Sequence, residues 1–201
     1  MRVGLLGGTF DPPHVGHIAL ARECLKKLGL DKIVFIPAFS SPHKIIGAVA
    51  SADLRFEMVR LAAADEPKFE VSSYEIDKKG VSYSIETIEH FRKECGPQAE
   101  IFFLTGSDSA RALSAWKDID RILDLAVFVI ASRPGWKGEG DYGGRVKRIV
   151  IPEIDISSSM IRERRGNSKP IDLLVPAAVA RFIEEKRLYR ETQEEARPKK
   201  A

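Results

Sequence analysis

Val3-Gly4-Leu5-Leu6-Gly7-Gly8-Thr9-Phe10-Asp11-Pro12-Pro13-His14-Val15-Gly16-His17 is the stretch that decides the fold. Val3 to Leu6 is a short apolar run stopped by Gly7-Gly8, which reads as a buried strand ending in a turn. Beyond the Pro- and His-containing loop, Ile18, Leu20, Ala21, Leu25 and Leu28 recur at helical spacing, and Gly29 suits the helix stop.

Working outward, the same alternation repeats. Ile33-Val34-Phe35-Ile36 reads as a second strand closed by Pro37, and residues 37–50, rich in Pro, Ser and Gly, as a long functional loop. Ser51 is placed to cap a helix through about Ala64, with Leu54, Met58, Val59, Leu61 and Ala62 turned inward. Phe69-Glu70-Val71 is a short strand, and Ser84 to Phe91 carries helical spacing. Ile101 to Leu104 and Ala126 to Ile130 are further apolar strands, the first followed by a helix after Gly106-Ser107-Asp108. Val146 to Ile151 reads as a last strand, Ser157 to Arg164 as a capped helix, and Pro176 as the first turn of a final helix through Lys186. Residues 135–144 hold five glycines and read as a mobile loop.

Strands that are apolar throughout and alternate with helices imply an α/β fold, a Rossmann-like parallel sheet with helices on both faces. Ligands of such sheets bind beyond the carboxyl ends of the strands. A single domain over residues 1–189 is expected, with 190–201 a charged, apolar-poor tail. The 201-residue length supports this, since a chain of that size buries about 70% of its unfolded surface.

Composition narrows the function. An apolar share of 44% and a charged share of 30% are ordinary for a globular protein. The net charge of +3 is too mild to call for nucleic acid or a membrane surface as partner. No apolar run approaches the roughly 18 residues that span a bilayer, and no leader pattern opens the sequence, so a cytoplasmic protein is expected. Cys24 and Cys95, far apart, form neither a disulfide framework nor a zinc site.

The chemistry concentrates in the opening stretch. Gly7 and Gly8 let the backbone turn tightly and approach a ligand, and Thr9 offers a hydroxyl. N–H groups at the following helix start can hold an anion. His14 and His17, three apart, can face one side, and Gly16 removes a side chain that would obstruct a phosphate. A dinucleotide Gly-x-Gly-x-x-Gly fingerprint and a Walker-type Gly-Lys-Ser/Thr are both absent. A Gly-Gly turn or a histidine pair alone would mean little; together they suit a polyphosphate. A second stretch, Ile156-Ser157-Ser158-Ser159-Met160-Ile161-Arg162, puts three hydroxyls, helix amides and a guanidinium together, although a plain capped surface helix would look the same.

Gly7-Gly8-Thr9-Phe10-Asp11-Pro12-Pro13-His14-Val15-Gly16-His17 resembles the signature of the nucleotidyltransferase superfamily, whose hallmark is His-x-Gly-His, and is especially similar to that of bacterial nicotinate-mononucleotide adenylyltransferases. Ile156 to Arg162 resembles the superfamily's C-terminal Ile-Ser-Ser-Thr-x-Ile-Arg motif, with Ser159 in the usual Thr place. Pro42-His43-Lys44, the Glu75 to Ser84 segment with Ser82-Tyr83-Ser84, Gly106-Ser107-Asp108, Trp116 and Arg133-Pro134-Gly135 are similar to further family features in order and spacing.

The resemblance implies transfer of the adenylyl group of ATP to nicotinate mononucleotide, giving deamido-NAD and pyrophosphate in NAD biosynthesis. It implies that His17, His14, Lys44 and Arg162 act on the phosphates, with one Mg²⁺ bridging phosphate oxygens. It implies ATP contacts from Gly7, Gly8, Thr9, Phe10, Gly16, Gly106, Asp108, Ser157, Ser158 and Ser159, and acceptor contacts from Tyr83, Ser84, Trp116 and Arg133. Another acceptor, such as nicotinamide mononucleotide or phosphopantetheine, and a non-catalytic nucleotide sensor are the other readings. A homo-oligomer is left open.

Overall fold

The computed structural model describes residues 1–42, 48–107, 113–132, 142–152 and 154–190. Six strands form one sheet: β1 (Arg2–Gly8), β2 (Lys32–Pro37), β3 (Phe69–Val71), β4 (Glu100–Gly106), β5 (Val127–Ser132) and β6 (Val146–Val150). Their order is β3-β2-β1-β4-β5-β6 and every pairing is parallel. Seven α-helices are described: α1 (Val15–Leu28), α2 (Ala52–Ala63), α3 (Tyr74–Lys78), α4 (Ser84–Cys95), α5 (Ile119–Leu125), α6 (Ser158–Gly166) and α7 (Ala177–Glu185).

Alternation along the buried strands divides the core in two. Leu6, Ile33, Phe35, Phe102, Leu104 and Val129 face a cluster completed by Ile18, Ala21 and Cys24 of α1, Met58 and Val59 of α2, Ile161 of α6, and Val179 and Ile183 of α7. Val3, Leu5, Val34, Ile36, Ile101, Phe103, Phe128 and Ile130 face the other, completed by Ile85, Ile88 and Phe91 of α4 and Ile122 of α5. Both faces of the sheet are therefore covered, which is why its inner strands β1, β2, β4 and β5 are buried on successive residues, while the edge strands β3 and β6 carry exposed Glu70, Lys147 and Arg148.

The chain walks outward from β1 through β2 to β3, then returns across the sheet to place β4 on the other side of β1. That reversal opens a crevice between the carboxyl ends of β1 and β4, the place where open α/β sheets take ligands. Gly7-Gly8 and Gly106 end those two strands and so stand at its mouth.

Three local expectations are corrected. Pro176 is the N-cap of α7 and not its first helical residue, and the helix closes at Glu185 with Lys186 as C-cap. α3 has no counterpart in the sequence reading: its five residues are too few to show a period, and only Ile76 is a buried apolar side chain. The helix expected after Gly106-Ser107-Asp108 falls on residues 108–112, outside the described residues; beyond them a 3₁₀ turn at Leu113–Ala115 leads to α5 at Ile119. On α2 the buried face runs through Arg55, Met58, Val59 and Ala62, while Leu54 and Leu61 are only half-buried. Ser51 caps α2 as expected, its hydroxyl accepting the Leu54 N–H at 3.4 Å.

Candidate active site

A cleft of about 970 Å³ runs across the carboxyl edge of the sheet over the β1/β4 crevice. Its floor is the end of β1, the turn after it, and the start of α1. Gly8 is required by close approach: a Cβ there would stand 2.9 Å from the Phe10 ring. Phe10 lines the cleft wall yet turns its ring into the core, edge-on to His17 with centroids 5.0 Å apart and 5.8 Å from Phe35.

His14 is the N-cap residue of α1. Its backbone N–H donates to His17 Nδ1 at 3.1 Å, and its carbonyl accepts the His17 N–H at 2.9 Å. With Nδ1 of His17 used as an acceptor, the proton of the neutral ring sits on Nε2, as a donor. The two imidazoles stack with centroids 3.7 Å apart. Burial pushes the His14 pKa down to about 4, so that ring is neutral at physiological pH. Gly16 makes this pairing fit, because a Cβ there would lie 2.9 Å from His14 Nδ1.

The second motif docks onto the first. Ser157 caps α6, its hydroxyl accepting the Met160 N–H at 3.2 Å. Ser158 Oγ donates to the Pro12 carbonyl at 2.8 Å, and Arg162 donates to the Asp11 carbonyl at 2.8 Å and to Ser159 Oγ at 3.2 Å. Two helix N-termini, two histidines and one arginine thus meet at one end of the cleft, a cradle for a polyanion.

The other end is aromatic. Trp116 follows the 3₁₀ turn and packs edge-on against Phe103 and Phe128, with centroids 5.8 and 5.5 Å away. Tyr83, the N-cap of α4, carries the Lys117 ammonium 4.4 Å from its ring centroid. Ser84 and Gly106 line the space between. Lys44, Asp108 and Arg133 lie outside the described residues.

Sequence reasoning missed Glu75, which lines the cleft and is buried, its carboxylate accepting the Thr87 hydroxyl at 2.5 Å. It also missed Asp11 and Arg55, buried just behind the phosphate turn. For Arg55 a signal existed, since it shares the helical stripe of Met58, Val59 and Ala62, an apolar face interrupted by one cation. Among the described residues no group of three His, Cys, Asp or Glu side chains could hold a metal, and no helix is long and apolar enough to cross a membrane.

A glycine turn at the switch point, with paired histidines at the next helix start and a serine-capped helix docked on the turn, defines a nucleotidyltransferase, and comparison with known proteins agrees. The pattern of the cytidylyltransferase-like family matches residues 5–164, and the chain belongs to that family. A relative from Moorella thermoacetica is 40% identical over 94% of this chain and 92% of its own length. One from Clostridium botulinum (strain Alaska E43) is 41% identical over 94% of this chain and 98% of its own. Both carry the name "Probable nicotinate-nucleotide adenylyltransferase", and within the class the chain belongs with these enzymes. A solved structure, Plasmodium falciparum nicotinic acid mononucleotide adenylyltransferase complexed with NaAD, shares the fold at a TM-score of 0.75, with 18% identity over 94% of this chain and 97% of its own.

Proposed function

We propose that the chain transfers the adenylyl group of ATP to nicotinate mononucleotide, releasing pyrophosphate and forming deamido-NAD. The observation that carries this reading is the direct joining of two motifs about 150 residues apart in sequence, through the Arg162 and Ser158 hydrogen bonds to the backbone of Asp11 and Pro12. It makes one cationic end for the triphosphate, with the aromatic end of the same cleft left for a flat ring.

The acceptor's 5′-phosphate oxygen attacks the α-phosphorus. The new P–O bond forms as the bond from the α-phosphorus to the bridging oxygen breaks, and pyrophosphate leaves with that electron pair. No side-chain nucleophile is needed, so catalysis rests on positioning and on charge stabilisation in the transition state. His17 donates from Nε2 to the α-phosphate, while His14, neutral and stacked behind it, fixes its plane. Arg162, joined in sequence by Lys44, neutralises the outer phosphates, with Thr9 and the serines of α6 around them. Magnesium enters as part of the substrate, held mainly by phosphate oxygens and water, a mode this cation favours. Tyr83, Ser84 and Trp116 receive the pyridine end. The free thiols of Cys24 and Cys95 support a reducing, cytoplasmic setting. The reading needs no nucleic-acid or membrane partner.

The test is pyrophosphate release from Mg–ATP with nicotinate mononucleotide, nicotinamide mononucleotide and phosphopantetheine in parallel. Turnover with the acid mononucleotide is expected, falling about 100–1,000-fold in kcat for His17→Ala. Absence of turnover with the acid mononucleotide would overturn the reading.

A further inference from the structure

Two charged side chains beside the phosphate turn are buried and do not line the cleft. Arg55 of α2 is 1% exposed, and its guanidinium is spent on carbonyls. Nε donates to Ala50 O at 3.1 Å, one terminal nitrogen to Thr9 O at 2.8 Å and Ala38 O at 2.6 Å, and the other to Phe39 O at 3.1 Å. Asp11, 2% exposed, does the converse with acceptors. Oδ2 takes the Val49 N–H at 2.7 Å, and Oδ1 takes the Ala50 N–H at 3.2 Å and the Tyr189 hydroxyl at 2.7 Å.

Between the Thr9 carbonyl and the Asp11 side chain lies Phe10, whose φ of 49° places a bulky residue in the left-handed region. Such a conformation persists only where its surroundings over-determine it, and here both flanking residues are held. The same turn carries Thr9 into the cleft, and the Asp11 carbonyl seats Arg162. Burying charge is a poor way to gain stability alone, since apolar replacement of a buried ionic group is often neutral or better. Four carbonyls and three donors held on rigid lines are, in contrast, a means of fixing a backbone.

We propose that Asp11 and Arg55 are positioning residues for the phosphate end of the cleft. Together they pin the left-handed Phe10 turn, and through it Thr9 and Arg162, in the geometry that receives the triphosphate. The identity of that anion rests on the adenylyl-transfer reading.

Equilibrium dialysis of Mg–ATP against the full chain, without acceptor, reads the effect directly. Arg55→Lys keeps the charge with fewer donors, and Asp11→Asn loses the charge and one acceptor. Each is expected to weaken Mg–ATP binding about tenfold while the KM for nicotinate mononucleotide moves less than about twofold. Arg55→Met is expected to be worse than Arg55→Lys. A merely structural role would leave the Mg–ATP affinity of the folded variants unchanged, or shift both substrates alike, and either result overturns the proposal. Should the buried-charge variants fail to fold, Tyr189→Phe removes a single donor to Asp11. It is expected to weaken Mg–ATP about threefold with the acceptor KM unmoved, and an unchanged affinity overturns the proposal. Wild-type protein that binds Mg–ATP but never turns over the acceptor refutes adenylyl transfer, while the dialysis comparison of Mg–ATP affinities still decides this proposal.

Discussion

At the scale of single residues, His14 shows how a fold tunes an imidazole without any charged partner. Burial is the sole cause lowering its pKa from 6.5 to about 4. Because the folded value is depressed, the unfolded chain binds a proton that the folded chain refuses between those two pH values. The stabilisation is complete above pH 6.5 and is lost as pH falls towards 4. Between pH 7 and pH 5 the free protein should lose about 2 kcal/mol more than a His14→Gln variant does, read from urea midpoints at both pH values. Equal losses would mean that the ring is protonated in the folded state. The residue types of this site were legible in the sequence because each carries its chemistry on its face: glycines at a strand end, histidines at a helix start, serines before an arginine. Arg55 and Asp11 were harder, since a buried charge and a surface charge are written with the same letter. Only the position of Arg55 on the apolar stripe of α2 distinguished it.

At the scale of elements, strands were legible where burial on both sheet faces left no alternation to misread, and helices where three or more turns showed a period. α3, a five-residue helix, shows none, so its anchor Glu75 was quoted within a motif without its role being seen. That residue joins α3 to α4 through Thr87, and burial raises its carboxyl pKa above the ordinary value, against hydrogen bonds from Thr87 and Ser82 and the nearby Lys78 charge. A raised carboxylate means the fold prefers the protonated form. Stability is therefore fully present below the unfolded value of 4.5 and falls as pH rises towards the folded one. Glu75→Gln keeps an acceptor for Thr87 and removes the charge. It should melt at the same or a higher temperature than wild type at pH 7, the difference vanishing below about pH 4.5. A lower melting temperature at pH 7 would show that the ionised group is paired better than its burial implies.

At the scale of the whole molecule, β1 and the segment that follows α7 meet around the phosphate turn. β1 carries that turn outward from the centre of the sheet, while the segment after α7 returns to it, placing the Tyr189 hydroxyl on Asp11 across 178 residues. Leu188 and Tyr189 also pack against the core cluster that holds α1 and α2. The sequence marked a boundary near residue 189 only by a change in composition; the contacts of Leu188 and Tyr189 show that core packing extends at least that far. Chains ending after Arg190 and after Lys186 separate the two contributions. Removal of residues 191–201 should leave the melting temperature unchanged within about 1 °C, because all the packing just described is retained. Ending at Lys186 strips Leu188 and Tyr189, which at large-to-small core costs amounts to about 2–4 kcal/mol, or about 5–15 °C for a chain of this length. It should also weaken Mg–ATP binding, since Asp11 loses its hydroxyl donor. Equal melting temperatures for the two truncations would show that the closing segment contributes nothing to the fold and that the domain ends with α7.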